Sequence, residues 1–137
     1  MILKRRTEKQ IIGKRGEDEA ARYLEEKGLT ILERNYRSRR NEIDIIAEEY
    51  GYLVFVEVKT TSSDIAEEYR LPSEAVDEKK KKCLFACAMD YVKEKRCSYS
   101  FYRFDVIEVY LNREIPEINH IENAFYKKER TKRQWNR

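Results

Sequence analysis

Apolar positions early in the chain recur at helical spacing. Ile12, Gly16, Ala20, Tyr23 and Leu24 fall on one stripe of a helix from about Thr7 to Lys27. Thr7 and Gln10 have the spacing of a capping box, and Gly28 stands where such a helix stops. Three strand-like runs follow. Residues 29–36 alternate imperfectly, 42–48 come after a basic stretch, and 52–60 are rich in β-branched residues and bounded by Gly51. Leu71-Pro72-Ser73 breaks the pattern. Ser73 can cap a second helix to about Lys95, with Val76, Cys83, Leu84, Cys87, Ala88, Tyr91 and Val92 on its apolar stripe. A strand over 98–110 shows Tyr102, Phe104 and Val106 on one side, and a further short strand fits around 115–121. The order α-β-β-β-α-β predicts an α/β domain with a sheet covered by helices.

Composition narrows the class. At 137 residues one domain is expected, covering 1–126, with a basic tail over 127–137. Ten Tyr and five Phe argue against disorder, which is aromatic-poor. No apolar run reaches the ~18–20 residues of a membrane span, and no apolar stretch follows the basic N-terminus as in a signal peptide. The expected location is cytoplasmic. The three Cys and the lone His120 form no zinc pattern, and a single His weakens Ser-His or Cys-His hydrolase chemistry. Buried thiols are the expectation for Cys83 and Cys87.

The overall charge of +3 hides an asymmetry. Residues 1–15 and 126–137 each carry six Lys or Arg and one Glu, so each end is net +5 and the middle is net −7. Basic ends can track phosphates or simply be solvated. Arg34, Tyr36, Arg37, Arg39 and Arg40 interleave an aromatic with basic residues between two strands, which suits backbone tracking and base stacking or an ordinary surface loop. Lys79–Lys82 spread around one helical turn, facing either solvent or nucleic acid, and Trp135 falls in the basic tail.

Strand parity points to chemistry. In 52–60, Val54, Val56 and Val58 share one face, and Leu53, Phe55, Glu57 and Lys59 the other. In the preceding strand Glu42, Asp44 and Ile46 share a face. A hairpin turning at 48–51 with the charged faces aligned would bring Glu42, Asp44, Glu57 and Lys59 together. Acids inside apolar strands need compensation, from Lys59 or from a hard divalent cation. A Glu–Lys pair on an exposed strand face is the plainer alternative.

The residues also carry a resemblance. Asp44, twelve residues, then Glu57-Val58-Lys59 looks like the PD-(D/E)XK nuclease motif. The blocks GKRGEDEAARYLEEKGLTILERNYRS, NEIDIIAEE, VFVEVKT, AVDEKKK and RFDVIEV together resemble the YraN-like family of small bacterial proteins, which are similar to Holliday junction resolvases. The resemblance spans about residues 13–125. It implies a restriction-endonuclease-like core with a central mixed sheet flanked by helices. It further implies Mg²⁺- or Mn²⁺-dependent hydrolysis of DNA phosphodiester bonds, in branched or structured DNA, with a homodimer as one expectation. Asp44 and Glu57 match the motif's acids and Lys59 its lysine. Val58 would offer a backbone carbonyl to the metal, Glu17 matches an acid beside it, and Glu42 an auxiliary one. Lys79 matches a second-helix lysine facing the phosphate backbone. Asn41 replaces the usual Gly before the acidic block, where a left-handed turn is tolerated, and Thr61 replaces a frequent Arg. Two other classes stay open: a nucleic-acid-binding module without turnover, and an interaction domain for an acidic protein.

Overall fold

The computed structural model describes residues 5–62, 77–112 and 114–125. Helix α1 spans Glu8–Lys27. The Thr7 hydroxyl accepts from the Gln10 N–H at 3.1 Å and the Gln10 side chain accepts from the Thr7 N–H at 2.8 Å, completing the capping box. Gly28 ends the helix at φ 106°, a conformation that costs a residue without Cβ little. Then follow β1 (Thr30–Ser38), β2 (Asn41–Glu49), β3 (Tyr52–Thr61), α2 (Glu78–Glu94), β4 (Phe101–Tyr110) and β5 (Glu117–Phe125).

The strands form one sheet in the order β1-β2-β3-β4-β5. β3 and β4 pair in parallel and every other neighbouring pair is antiparallel. A parallel step needs a long crossover, and α2 lies in it. The expected mixed sheet flanked by helices is therefore the fold. One face packs Ile45, Ala47, Val54, Val56, Ile107 and Val109 against Ala20, Ala21 and Leu24 of α1. The other packs Ile46, Leu53, Phe55, Phe104 and Val106 against Leu84, Cys87, Ala88 and Tyr91 of α2. Because β3 is buried on both faces, its run of Leu53 to Val56 is apolar at every position, each side chain contributing ~1.5–3 kcal/mol on burial.

Three expectations are corrected. The described helix α2 begins at Glu78, with the Asp77 carboxylate accepting from the Lys80 N–H at 2.7 Å. Asp77 is extended, so no helix passes through it from Ser73, which with Val76 lies outside the described residues. The last strand covers Glu117–Phe125, later and longer than 115–121, because it follows β4 along an antiparallel ladder. The β1–β2 turn has its left-handed residues at Arg39 (φ 51°) and Arg40 (φ 70°), whereas Asn41 already pairs with Ser38 in the sheet.

Strand β2 also departs from simple alternation. Ile43 packs on the α2 face with Ile46, although parity assigns it to the face of Ile45. The break falls at Asp44. Across the ladder Arg34 pairs with Ile45 and Tyr36 with Ile43, so Asn35 stands opposite Asp44, and its backbone is left-handed at φ 53°. On the other side, pairing with β3 ends at Ile45 and Val56. The parting of two strands at Asp44 makes a gap in the sheet.

Candidate functional site

Beyond the Ile45–Val56 pair, β3 keeps its partner β4 but has lost β2. The Asp44 carboxylate fills that place, accepting from the Val58 N–H at 2.7 Å. In an extended strand the N–H and C=O of one residue point to the same edge, so the Val58 carbonyl faces the gap too. Glu57 is 8% exposed. Its Oε1 lies 3.9 Å from Lys59 Nζ, as their i, i+2 spacing predicts. Its Oε2 is buried and takes no hydrogen bond from a donor group; the Asp44 carboxyl faces Glu57, and the two can bond only by sharing a proton.

The electrostatics follow from this crowding. Burial first, then the charge of Glu57, with smaller pushes from Glu17 and Glu42, drives Asp44 up to about 8 against the opposing Val58 hydrogen bond. Burial likewise raises Glu57, while Lys80 and Lys59 pull it down. The pair thus keeps a proton well above the ordinary carboxylate range.

Each neighbour arrives by a definite route. Glu17 comes from α1, which approaches β3 closely because residue 16 is glycine: a Cβ there would meet Thr60 Oγ1 at 1.9 Å. Lys80 comes from the first turn of α2, whose orientation is set by the buried stripe Leu84, Cys87, Ala88 and Tyr91. The fold therefore assembles Glu17, Glu42, Asp44, Glu57, Val58 and Lys59 from α1, β2 and β3. Among the described residues no group of three or more His, Cys, Asp or Glu stands in ready metal-ligating geometry. The donor set at the gap is nonetheless all oxygen, with one buried Glu57 oxygen that no donor group outside the acid pair reaches. That suits a hard cation such as Mg²⁺, which takes one or two carboxylates and keeps several waters.

The basic candidates are dispersed. Arg34 binds Asp18 at 2.8 Å and lies 4.0 Å from Glu17, so its charge is turned toward α1. Arg37 pairs with Glu42 at 3.3 Å and Arg39 with Asp90 at 3.0 Å; both are mostly exposed, where such pairs are weak. Arg40 and Lys79 are exposed and pair with no described residue. Tyr36, left open between base stacking and a surface loop, does neither. It is buried against Tyr91, and its hydroxyl donates to Glu94 at 2.7 Å, because β1 includes it and points it at α2. Trp135 and the basic tail lie outside the described residues.

Two residues at the site escape sequence reasoning. Lys80, rather than Lys79, acts on Glu57; it lies one turn before Leu84, on the side of the buried stripe. Asn35 contacts two of the acids from β1, signalled only by an amide inside a strand pattern. Away from the site, Asp105 is fully buried with both oxygens engaged: Arg103 donates at 2.9 and 3.0 Å, the Asn123 N–H at 2.9 Å, and His120 Nε2 lies at 2.7 Å. Burial alone would raise Asp105, but the His120 and Arg103 bonds hold it below the usual range. This cluster ties β4, β5 and, through Tyr23 and Lys27, α1 together. An open groove of about 950 Å³ between α2 and β4–β5, lined by Phe85, Met89, Tyr102 and Phe125 among others, holds none of the site acids.

Comparison with known proteins settles the family. The family model described as "Uncharacterised protein family UPF0102" matches residues 16–109. The chain belongs to this family. A UPF0102 protein of Pelotomaculum thermopropionicum is 43% identical over 119 residues, covering 85% of this chain and 97% of its own. One from Caldanaerobacter subterraneus is 43% identical over 124 residues, covering 88% and 99%. One from Pseudothermotoga lettingae is 49% identical over 96 residues, covering 70% and 85%. The UPF0102 match contains every acid of the site and Lys59. In this UPF0102 member no helix among the described residues is long and apolar enough to cross a membrane.

Proposed function

We propose that this UPF0102 protein is a divalent-metal-dependent endonuclease that hydrolyses phosphodiester bonds in structured or branched DNA. The observation that carries the reading is the crowded Asp44–Glu57 pair at the sheet gap, with a buried Glu57 oxygen that no donor group outside the pair reaches and two lysines acting on Glu57. Asp44 and Glu57, with the Val58 carbonyl and Glu17, are the holders of Mg²⁺ or Mn²⁺. When bound, such a cation polarises a phosphoryl oxygen and makes a coordinated water more acidic. Lys80 and Lys59 favour the ionised form of Glu57 that a cation needs. Lys59 also stands where an ammonium can orient a water and offset charge gathering on the phosphate. The exposed Arg40 and Lys79, together with the basic ends, supply phosphate contacts that carry no sequence information.

The test is cleavage of a four-way junction and a matching linear duplex by the full chain, with and without Mg²⁺ or Mn²⁺. Metal-dependent cleavage lost in Asp44→Asn and Lys59→Ala is the expected result. Binding without turnover under every condition would replace the nuclease reading with a binding module.

A further inference from the structure

Asn35 occupies a position no strand pattern explains. It lies inside β1, yet its backbone is left-handed, with the residues on either side still paired to β2. Asn adopts that conformation more readily than most residues, but it is still an uncommon choice for a strand interior. What the conformation achieves is an aim for the side chain. Its amide nitrogen donates to Glu17 Oε1 at 2.7 Å and to Glu42 Oε1 at 2.8 Å.

The two acids come from different elements, α1 and β2, and both stand within electrostatic reach of Asp44. Left alone they would repel each other and turn toward water. A carboxamide NH₂ has two hydrogens, one for each carboxylate. Being neutral, it holds them without cancelling their charge, as a lysine or arginine in its place would. The two acids are not equivalent in the result. Glu42 has both oxygens engaged, Oε1 by Asn35 and Oε2 by Arg37 at 3.3 Å. Glu17 has Oε1 engaged by Asn35, while Oε2 bonds to no described residue.

We propose that Asn35 is a positioning residue of the acid site, clamping Glu17 against Glu42 so that Glu17 Oε2 stays free for a divalent cation while Glu42 serves as the fixed anchor. This rests on the metal-site reading above and adds an assignment of roles to it. Substitution at residue 35 separates the chemistry from the backbone. Asn35→Asp keeps volume and the tolerance of left-handed backbone but replaces both donors with acceptors. Asn35→Gly keeps the backbone freedom and removes the side chain.

The experiment is Mn²⁺ titration calorimetry on the full chain, wild type against both variants, with thermal unfolding in EDTA alongside. A merely structural Asn35 would change unfolding and leave metal affinity per folded molecule alone. The expected result is at least a fivefold loss of Mn²⁺ affinity in both variants, with Asn35→Asp no better than Asn35→Gly despite its extra carboxylate. Glu42→Gln, which retains an acceptor oxygen for Asn35, should lose less affinity than Glu17→Gln. Should Asn35→Gly loosen the strand, the Asn35→Asp comparison and the Glu17/Glu42 contrast still decide. Wild-type affinity in Asn35→Asp, or Glu42→Gln as damaging as Glu17→Gln, overturns the clamp while leaving the metal site standing. No Mn²⁺ binding by the wild type overturns the metal site itself, and the clamp with it.

Discussion

Replacing Asp44 by Asn should make the metal-free protein more stable at neutral and alkaline pH, although it removes a residue of the proposed site. The Asp44 carboxyl is pushed up from 3.8 to about 8 by burial and by Glu57, Glu17 and Glu42 around it. The native state therefore keeps a proton that the unfolded chain releases. Stability from this group is fully present below the unfolded value near 3.8 and is lost as pH rises toward about 8. About four units at ~1.4 kcal/mol each sets a ceiling of roughly 6 kcal/mol, and solvent reaching the half-buried carboxyl reduces the expectation to ~2–3 kcal/mol. The carboxamide of the Asp44→Asn variant can still accept the Val58 N–H, so the substitution removes the charge and spares the bond. Lys59 on β3 and Lys80 on α2 also act on the cluster, through Glu57. The assay is thermal unfolding in EDTA from pH 4 to 9. The variant should unfold close to wild type at pH 4 and roughly 6–12 °C higher at pH 8. Millimolar Mg²⁺ should raise the wild type at pH 8 and leave the variant unmoved, since a ligand stabilises only the state that binds it. Parallel wild-type and variant curves across the range would mean that Asp44 holds no such proton.

Gly16→Ala should push α1 off Thr60, costing ~1–3 kcal/mol on denaturant unfolding and weakening Mn²⁺ binding by displacing Glu17. Arg103→Met should cost ~3–5 kcal/mol, because it leaves the fully buried Asp105 without its bidentate partner; urea unfolding measures it. Arg40→Gly should stabilise by ~1 kcal/mol in the same assay by relieving a left-handed arginine, while weakening DNA binding in a gel shift. Lys59→Ala should abolish cleavage yet cost little binding, and deletion of 127–137 should weaken binding with a shallower salt dependence; gel shifts across a salt series check both.

Much of the architecture was legible along the chain because it rests on local patterns. The capping box at Thr7, the stop at Gly28 and the two-sided apolar run of β3 each follow from neighbours a few residues apart. The spacing of Asp44, Glu57 and Lys59 was legible too, since parity within β3 puts Glu57 and Lys59 on one face. The start of α2 was harder. Ser73 and Asp77 are both good caps, and no short-range pattern chooses between them.

Periodicity and capping are short-range, so the elements, their apolar faces and the identity of the acids can all be read along the chain. How the acids meet is a matter of packing. Strict alternation groups Asp44 with Ile46, but the strands part at Asp44, Asn35 turns left-handed opposite it, and Ile43 changes face. Burial then makes a proton-sharing pair of two carboxyls that would ionise separately in water, and burial is a property of what α1, α2 and β4 pack around them. No arrangement of residues along one strand states that.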